Sequence, residues 1–361
     1  MKVKTGAAKA LGKLQVLCYP IVSFAFALGI CAIFMAILGF DWVLAYKSML
    51  QGSLGSVNAV AETLVKAIPL IFTGLSFAIG KRCGLINLGA EGQVYLGGLF
   101  ATFVGISLAG LPAVLHLPLT LLAGAIGGGL LGLFTGWLKN RFGASELITG
   151  IMLNYMAIRL ISYFVTGPLK EPGGSIPQSE AVALSAQLPR ILSGTRLHAG
   201  LILALLCILF YYIFLWKTTK GYELRLVGLN RCAAQYSGIN TKRSVLLAMF
   251  IAGCFAGIAG STEILGVQLR LFQDFSPNYG FDGIAVALLG NNSPLGILFS
   301  GILFGLLRSG SSKMLMATEV PVSIVQIIQS LVILFVIGRE MLNIFYHWLR
   351  NQIHAEKEVR S

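Results

Sequence analysis

GYELRLVGLNRCAAQYSGIN, Gly221–Asn240, separates two strongly apolar stretches, Leu197–Trp216 and Ser244–Leu265. Lys217 and Lys220 lead into it, and Lys242–Arg243 follow it. Each flanking stretch approaches or exceeds the roughly 20 apolar residues that a helix needs to cross about 30 Å of hydrocarbon. The polar stretch between them is therefore a water-exposed connection, able to meet a soluble partner. Composition extends this reading to the whole chain. Of 361 residues, 56% are hydrophobic and 11% charged, with mean hydropathy +0.81. A soluble domain carries about 25% charged residues. Backbone groups in lipid must be satisfied within helices or closed barrels. The apolar runs here are continuous rather than alternating, which selects helices. The fold class is all-α, a polytopic membrane protein forming one domain over residues 1–361.

Working outward, the apolar runs predict a first span at Val16–Phe40, too long for the apolar region of a cleaved signal peptide. An external link follows over Asp41–Asn58, with a short interfacial helix near Trp42–Leu50. Further helices are expected at Glu62–Gly80, Gln93–Leu108, from Pro118 to Leu138, and at Glu146–Val165. Cys83–Gln93, CGLINLGAEGQ, interrupts the first two of these. Gly167–Arg196, with four prolines, is the longest external loop. After Ser244–Leu265 come two short apolar pieces, Phe281–Gly290 and Leu295–Leu307, broken at Asn291-Asn292-Ser293-Pro294, and a last span at Val320–Gly338.

These runs predict about ten membrane segments. Most of the 27 Lys and Arg fall in alternate connections: the N-terminus, Lys81–Arg82, Lys139 and Arg141, Lys217–Arg243, and the tail from Arg339. Cytoplasmic loops collect such residues. Both termini are thus expected inside, as residues 1–15 and 339–361, with the membrane region at 16–338. Lys81, Lys139 and Arg225 are expected inside; Lys170 and Arg190 outside. The net charge of +13 is accounted for by these loops and calls for no nucleic acid. Each half carries a Gly-rich, Asn-bearing break, and corresponding breaks in oppositely oriented halves are the pattern of inverted-repeat transporters. Irregular backbone at membrane depth survives only when buried in protein or lining a cavity. This makes Asn87, Glu91, Gln93, Asn291 and Asn292 candidates for a translocation pathway.

The sequence offers no catalytic constellation and no metal-ligand spacing. His116, His198, His347 and His354 are scattered, and Cys18, Cys31, Cys207 and Cys254 lie inside apolar runs. Gly305–Gly310 is followed by Ser311 rather than the Lys of a phosphate-binding loop. ATP and magnesium are therefore not expected on this chain. Glu91 is expected either to sit at a helix N-terminus, where the dipole favours a carboxylate, or to line the pathway. Arg159 is expected to face protein or water, in a structural ion pair rather than a substrate contact, and Glu263 is expected at the outer surface. Gly128-x-x-x-Gly132 and Gly253-x-x-x-Gly257 have the spacing of close helix contacts.

GLINLGAEGQ at Gly84–Gln93, and YGFDGIAVALLG at Tyr279–Gly290 followed by Asn292 and Pro294-Leu295-Gly296, resemble the permease subunits of bacterial ATP-binding-cassette importers for nucleosides and simple sugars. The likeness covers about Glu62–Gly338. It implies a non-catalytic transport subunit of the bacterial cytoplasmic membrane. The partners it implies are a separate ATPase carrying ATP and magnesium, a second and shorter permease, and an extracytoplasmic binding lipoprotein. The Gly-Ala-Glu-Gly-Gln form points to the nucleoside branch. It also gives the opening stretch a role as the coupling element, with Ala233-Ala234 and Gly238-Ile239 matching the small-residue pattern. Gly221, Arg225, Asn230, Ala233, Ala234 and Gly238 are the coupling candidates. Cys232–Gly238 is expected to be a short helix, with Ala233 and Ala234 facing a groove in the ATPase and Arg225 and Arg231 at its rim. Simple sugars and riboflavin remain open as solutes. A stand-alone secondary transporter would share the breaks but would need more carboxylates at membrane depth, and a membrane enzyme would need a catalytic cluster.

Overall fold

The computed structural model describes residues 25–318 and, beyond them, 320, 321, 323, 324, 326–328, 330, 331 and 334. The basic N-terminus, the start of the first expected span, much of Val320–Gly338 and the tail from Arg339 lie outside the described residues.

The helices in chain order are α1 (Ala25–Ile37), α2 (Trp42–Leu54), α3 (Val57–Arg82), α4 (Ala90–Ser107), α5 (Ala113–Phe142), α6 (Glu146–Thr166), α7 (Gly200–Lys217), α8 (Thr219–Leu229), α9 (Arg231–Tyr236), α10 (Thr241–Glu263), α11 (Tyr279–Leu289) and α12 (Pro294–Thr318). A π-helical turn, Ile264–Gln268, extends α10. The described residues contain isolated bridges such as Gln178–Phe272 but no named strand. Among the described residues, six helices are long and apolar enough to cross a membrane: α3, α5, α6, α7, α10 and α12. The chain is thus an all-helical, multi-pass membrane protein.

Three elements differ from expectation: α5 runs Ala113–Phe142 with Pro118 inside it rather than starting there, and two more differ for identifiable reasons. Helix α3 begins at Val57 rather than Glu62, because the Ser56 hydroxyl caps it by accepting from the Ala59 N–H at 3.1 Å. Helix α12 runs 25 residues rather than ending near Leu307. The polar run from Arg308 looks like a boundary, yet Arg308 stays in the helix because Asp282 pairs with it at 2.7 Å.

The chain divides into two compact units, Leu50–Gly310 and a second formed by residues up to Met49 and from Ser311. In the second, Tyr46 ties α2 to α1 by donating to the Leu28 carbonyl at 2.7 Å. In the first, α10 is the central element, packed on α5, α4 and α3. Its contact with α5 is backbone on backbone. A Cβ at Gly128 would meet Gly257 N and Cα at 2.7 Å, and one at Gly253 would meet Gly129 Cα at 2.9 Å. The glycine spacing read from the sequence is thus the contact itself, which dispersion forces favour and any side chain would prevent.

Candidate functional site

The polar stretch that opened the sequence folds as two short helices, each started by its own side-chain cap. Thr218 Oγ1 accepts from the Gly221 N–H at 3.1 Å and starts α8. Asn230 ends α8, and its Oδ1 accepts from the Ala233 N–H at 3.0 Å to start α9. Asn240 then caps α10 through the Arg243 N–H at 3.0 Å. Gly238, at φ +80°, supplies the left-handed turn that closes α9.

The coupling candidates divide between the two faces of this segment. Gly221 lies against Leu215, and Gly228 lies on the backbone of Arg82 and Gly84. Ala234 is buried in this chain, whereas Ala233 is exposed. The outward face is led by Leu229 and Tyr236, 83% and 95% exposed. Arg225 is half-buried, and its guanidinium stands over the Trp216 ring at 5.5 Å and the Tyr222 ring at 5.9 Å. Arg82, at the end of α3, stands over the same Trp216 ring at 5.3 Å.

From there the contacts reach the second break. Arg82 Nη2 donates to the Asn292 carbonyl at 3.0 Å, and the Tyr211 hydroxyl donates to the same oxygen at 2.8 Å. One carbonyl thus accepts from α3 and α7 together, using both lone pairs. Asn291 and Asn292 both sit at φ +50°, a conformation Asn tolerates better than most residues. Asn291 is exposed and Asn292 half-buried.

The first break is held from within. Asn87 and Gln93 form a reciprocal amide pair, Nδ2 to Oε1 at 2.8 Å and Nε2 to Oδ1 at 3.2 Å. Asn87 Nδ2 also reaches Ser76 Oγ at 3.0 Å. From α6, Asn154 Oδ1 accepts from the Gly92 N–H and Nδ2 donates to the Leu88 carbonyl, both at 2.8 Å. Glu91 lies in the first turn of α4, yet its Oε2 accepts from the Gly280 N–H, at the start of α11, at 2.6 Å. The carboxylate therefore serves the N-terminal end of another helix, where backbone donors are free and the dipole favours negative charge. Asn87, Glu91 and Gln93 are all buried within one chain.

Other charges differ from expectation. Glu263 is buried rather than at the outer surface: Gln268 Nε2 donates to its Oε1 at 3.1 Å, and the Tyr279 side chain also bonds it. Arg308 pairs with Asp282 and stands 4.8 Å from the Tyr279 ring centre. Arg159 is exposed and has no acidic partner among the described residues, so the expected ion pair is not found. No group of three or more His, Cys, Asp or Glu among the described residues could hold a metal. Outside the spans, Arg270 and Gln178 hydrogen-bond Glu171 and hold its carboxyl below the usual carboxylate range.

Sequence reasoning missed Arg82, Trp216, Tyr211, Asn154 and Gly280 as members of these networks. Asn154 had a signal, as an amide within an apolar helix, where an unsatisfied polar group is costly. Trp216 had none beyond its place next to Lys217.

Interrupted apolar helices, held together by buried amides and a carboxylate, with a short polar segment tied to the second break through Trp216 and Arg82, are the architecture of a membrane permease subunit. The chain belongs to the family described as branched-chain amino acid transport system / permease component, which matches residues 59–337. It is 37% identical to the guanosine ABC transporter permease protein NupP of Bacillus subtilis, over 90% of this chain and 94% of that protein. It is 36% identical to the glucose ABC transporter permease protein TsgB13 of Haloferax volcanii, over 89% of this chain and 87% of that one. It is 33% identical to the nucleoside ABC transporter permease protein NupB of Lactococcus lactis, over 88% and 89%. No solved structure matches the chain.

Proposed function

We propose that this chain is the longer permease of an ATP-driven nucleoside importer in a bacterial cytoplasmic membrane. Its partners would be a shorter permease, an ATPase that holds ATP and magnesium, and an extracytoplasmic binding lipoprotein. The observation that carries the reading is likeness over about nine tenths of the chain to permeases named for guanosine and nucleosides. Glucose appears in the name of a relative of similar identity, so a simple sugar is the second reading.

The ten-segment arrangement with both termini inside rests on the Lys and Arg asymmetry. The close approach of the α4 and α11 N-terminal ends at Glu91 and Gly280 supports two inverted halves, with α4 and α11 as counterparts. Burial within one chain supports Asn87, Glu91 and Gln93 as the frame behind the pathway; Asn291 and Asn292 would sit at its inner end. The ATPase would dock on α8–α9 through Leu229, Ala233 and Tyr236, with Gly221, Arg225, Asn230, Ala234 and Gly238 holding that face to the bundle.

The test is reconstitution with the ATPase, second permease and lipoprotein, followed by uptake of labelled nucleosides and glucose. Nucleoside uptake that requires ATP is the expected result; uptake of glucose alone would replace the solute. Tyr236→Asp should release the ATPase on co-purification. Thiol labelling from outside should reach cysteines at positions 170 and 190 but not 225, and labelling at 225 would overturn the orientation.

A further inference from the structure

We propose that the face of α6 centred on Arg159 is a wall of the solute pathway, and that Arg159, with Tyr155 and Tyr163, contacts the nucleoside in transit. This rests on the permease reading above.

The buried residues of α6 are Gly150, Leu153, Asn154, Ala157, Ile161 and Val165. At 3.6 residues per turn they occupy one side of the helix, and Arg159 lies on the opposite side. Tyr155 and Tyr163 share that side with it, together with Ile148, Met152 and Met156, each between 58% and 66% exposed. The spacing from 152 to 155, 159, 163 and 166 is that of a single stripe. At 1.5 Å per residue, Arg159 is about 20 Å from the Glu146 end of α6 and about 10 Å from the Thr166 end. Arg159 is thus about two turns inside the nearer end, and a guanidinium that faced lipid there would carry a cost. The charge must face water or protein, and no acidic residue among the described ones meets it.

The composition of the stripe selects the occupant. An acidic protein partner would leave no reason for two exposed phenols beside the charge. A planar, uncharged solute rich in oxygen acceptors uses all three groups. The base stacks on tyrosine faces, as bases do on aromatic platforms. The guanidinium, with five donors and no acceptor, donates to base or ribose oxygens. The stripe has no carboxylate to hold an ammonium group, so it suits a nucleoside better than an amine. At its outer end, Gln273 Nε2 donates to Ser162 Oγ at 2.9 Å, so the link before α11 is fastened beside the stripe.

The experiment uses the complete importer in vesicles. Cysteines are placed at 152 and at 155, with Cys232→Ser removing the exposed native thiol, and Arg159 is kept. A charged, membrane-impermeant thiol reagent should label both positions, and nucleoside should slow the labelling severalfold. In a second arm, Arg159→Leu should raise the KM for nucleoside uptake about tenfold, the loss expected for one hydrogen bond to substrate, with Arg159→Lys between. Co-purification of the ATPase should be unchanged in both. Labelling only by lipid-soluble reagents, with the KM of Arg159→Leu within about twofold of the parent, would place the stripe in lipid and overturn the inference while leaving the permease reading intact. Wild-type importer that moves no nucleoside would overturn the solute, and the labelling would still decide whether the face is wetted. Because the labelled chains keep Arg159, an Arg159→Leu chain that fails to assemble does not remove the test.

Discussion

Arg82 and Asn292 are more than two hundred residues apart in sequence, yet the Arg82 guanidinium donates to the Asn292 carbonyl at 3.0 Å. The same guanidinium rests on Trp216, whose ring also carries Arg225 of α8. A continuous set of contacts thus joins the polar segment to the second break. Coupling between sites needs such a physical connection. Charge-assisted hydrogen bonds contribute about 1.5–3 kcal/mol and cation–π contacts about 0.5–2 kcal/mol. Arg82→Ala is therefore expected to keep the ATPase bound but to lower ATP-driven uptake by about tenfold or more, a loss of at least one such contact. Arg82→Lys should be intermediate. Parallel measurement of ATP hydrolysis and uptake checks this, and equal loss of both would refute the relay.

Asn154 satisfies one donor and one acceptor of the first break from α6. Asn154→Ala leaves the Gly92 N–H and the Leu88 carbonyl without that partner. Each buried orphan costs about 1–3 kcal/mol. The expected result is a clear fall in thermal midpoint in detergent, larger than for Thr166→Ala at the exposed end of the same helix. A midpoint unchanged by Asn154→Ala would mean that water replaces the amide.

The glycines between α5 and α10 differ in what a methyl group would meet. At Gly257 a Cβ would collide with the Gly124 carbonyl oxygen and Gly128 Cα, all backbone. At Gly136 it would approach only Met249 and Leu246 side chains, at 3.2 to 3.5 Å. Gly257→Ala should destabilise by at least the 1–3 kcal/mol typical of overpacking. Gly136→Ala should be close to neutral, since helix propensity favours Ala by about 1 kcal/mol. Thermal unfolding of the two variants side by side checks the contrast.

Glu171 is held ionised by Arg270 and Gln178, so its folded carboxyl titrates below its unfolded value. A group of this sign contributes above the unfolded carboxylate range and loses its contribution as pH falls through the folded value. Glu171→Gln should make the loop at 167–199 more open to proteolysis at neutral pH. The difference from the parent should vanish below the carboxylate range. A difference that persists in acid would assign the effect to packing rather than charge.

Much of the fold was legible because each cue was local. The apolar runs at Glu146–Val165 and Ser244–Leu265 agree with α6 and α10 to within a few residues. The paired Gly-x-x-x-Gly stripes located a contact before any partner was known, since only a facing backbone requires two such stripes. The failures share a cause. Arg308 read as a helix boundary, and Glu263 read as a surface charge, because their partners Asp282, Gln268 and Tyr279 come from other elements. Ala234 read as a docking residue although it faces inward; small size suits an internal contact as well as an external one. The breaks were located correctly, while Asn154 and Arg82, which hold them, are non-local and carry no pattern of their own.

At Gly128, Gly132, Gly253 and Gly257 the α5–α10 contact is backbone on backbone, and this limits how the two helices can move there. Interfaces that slide do so by switching rotamers, and backbone pressed on backbone has none to switch. The two helices are therefore expected to move together where their glycines meet. Left-handed residues instead mark the breaks: Gly84 before α4, Leu269 and Asn278 before α11, and Asn291-Asn292 before α12. Glycine thus does two jobs in this chain: without a side chain it lets helices touch, and with φ above zero it lets the chain turn.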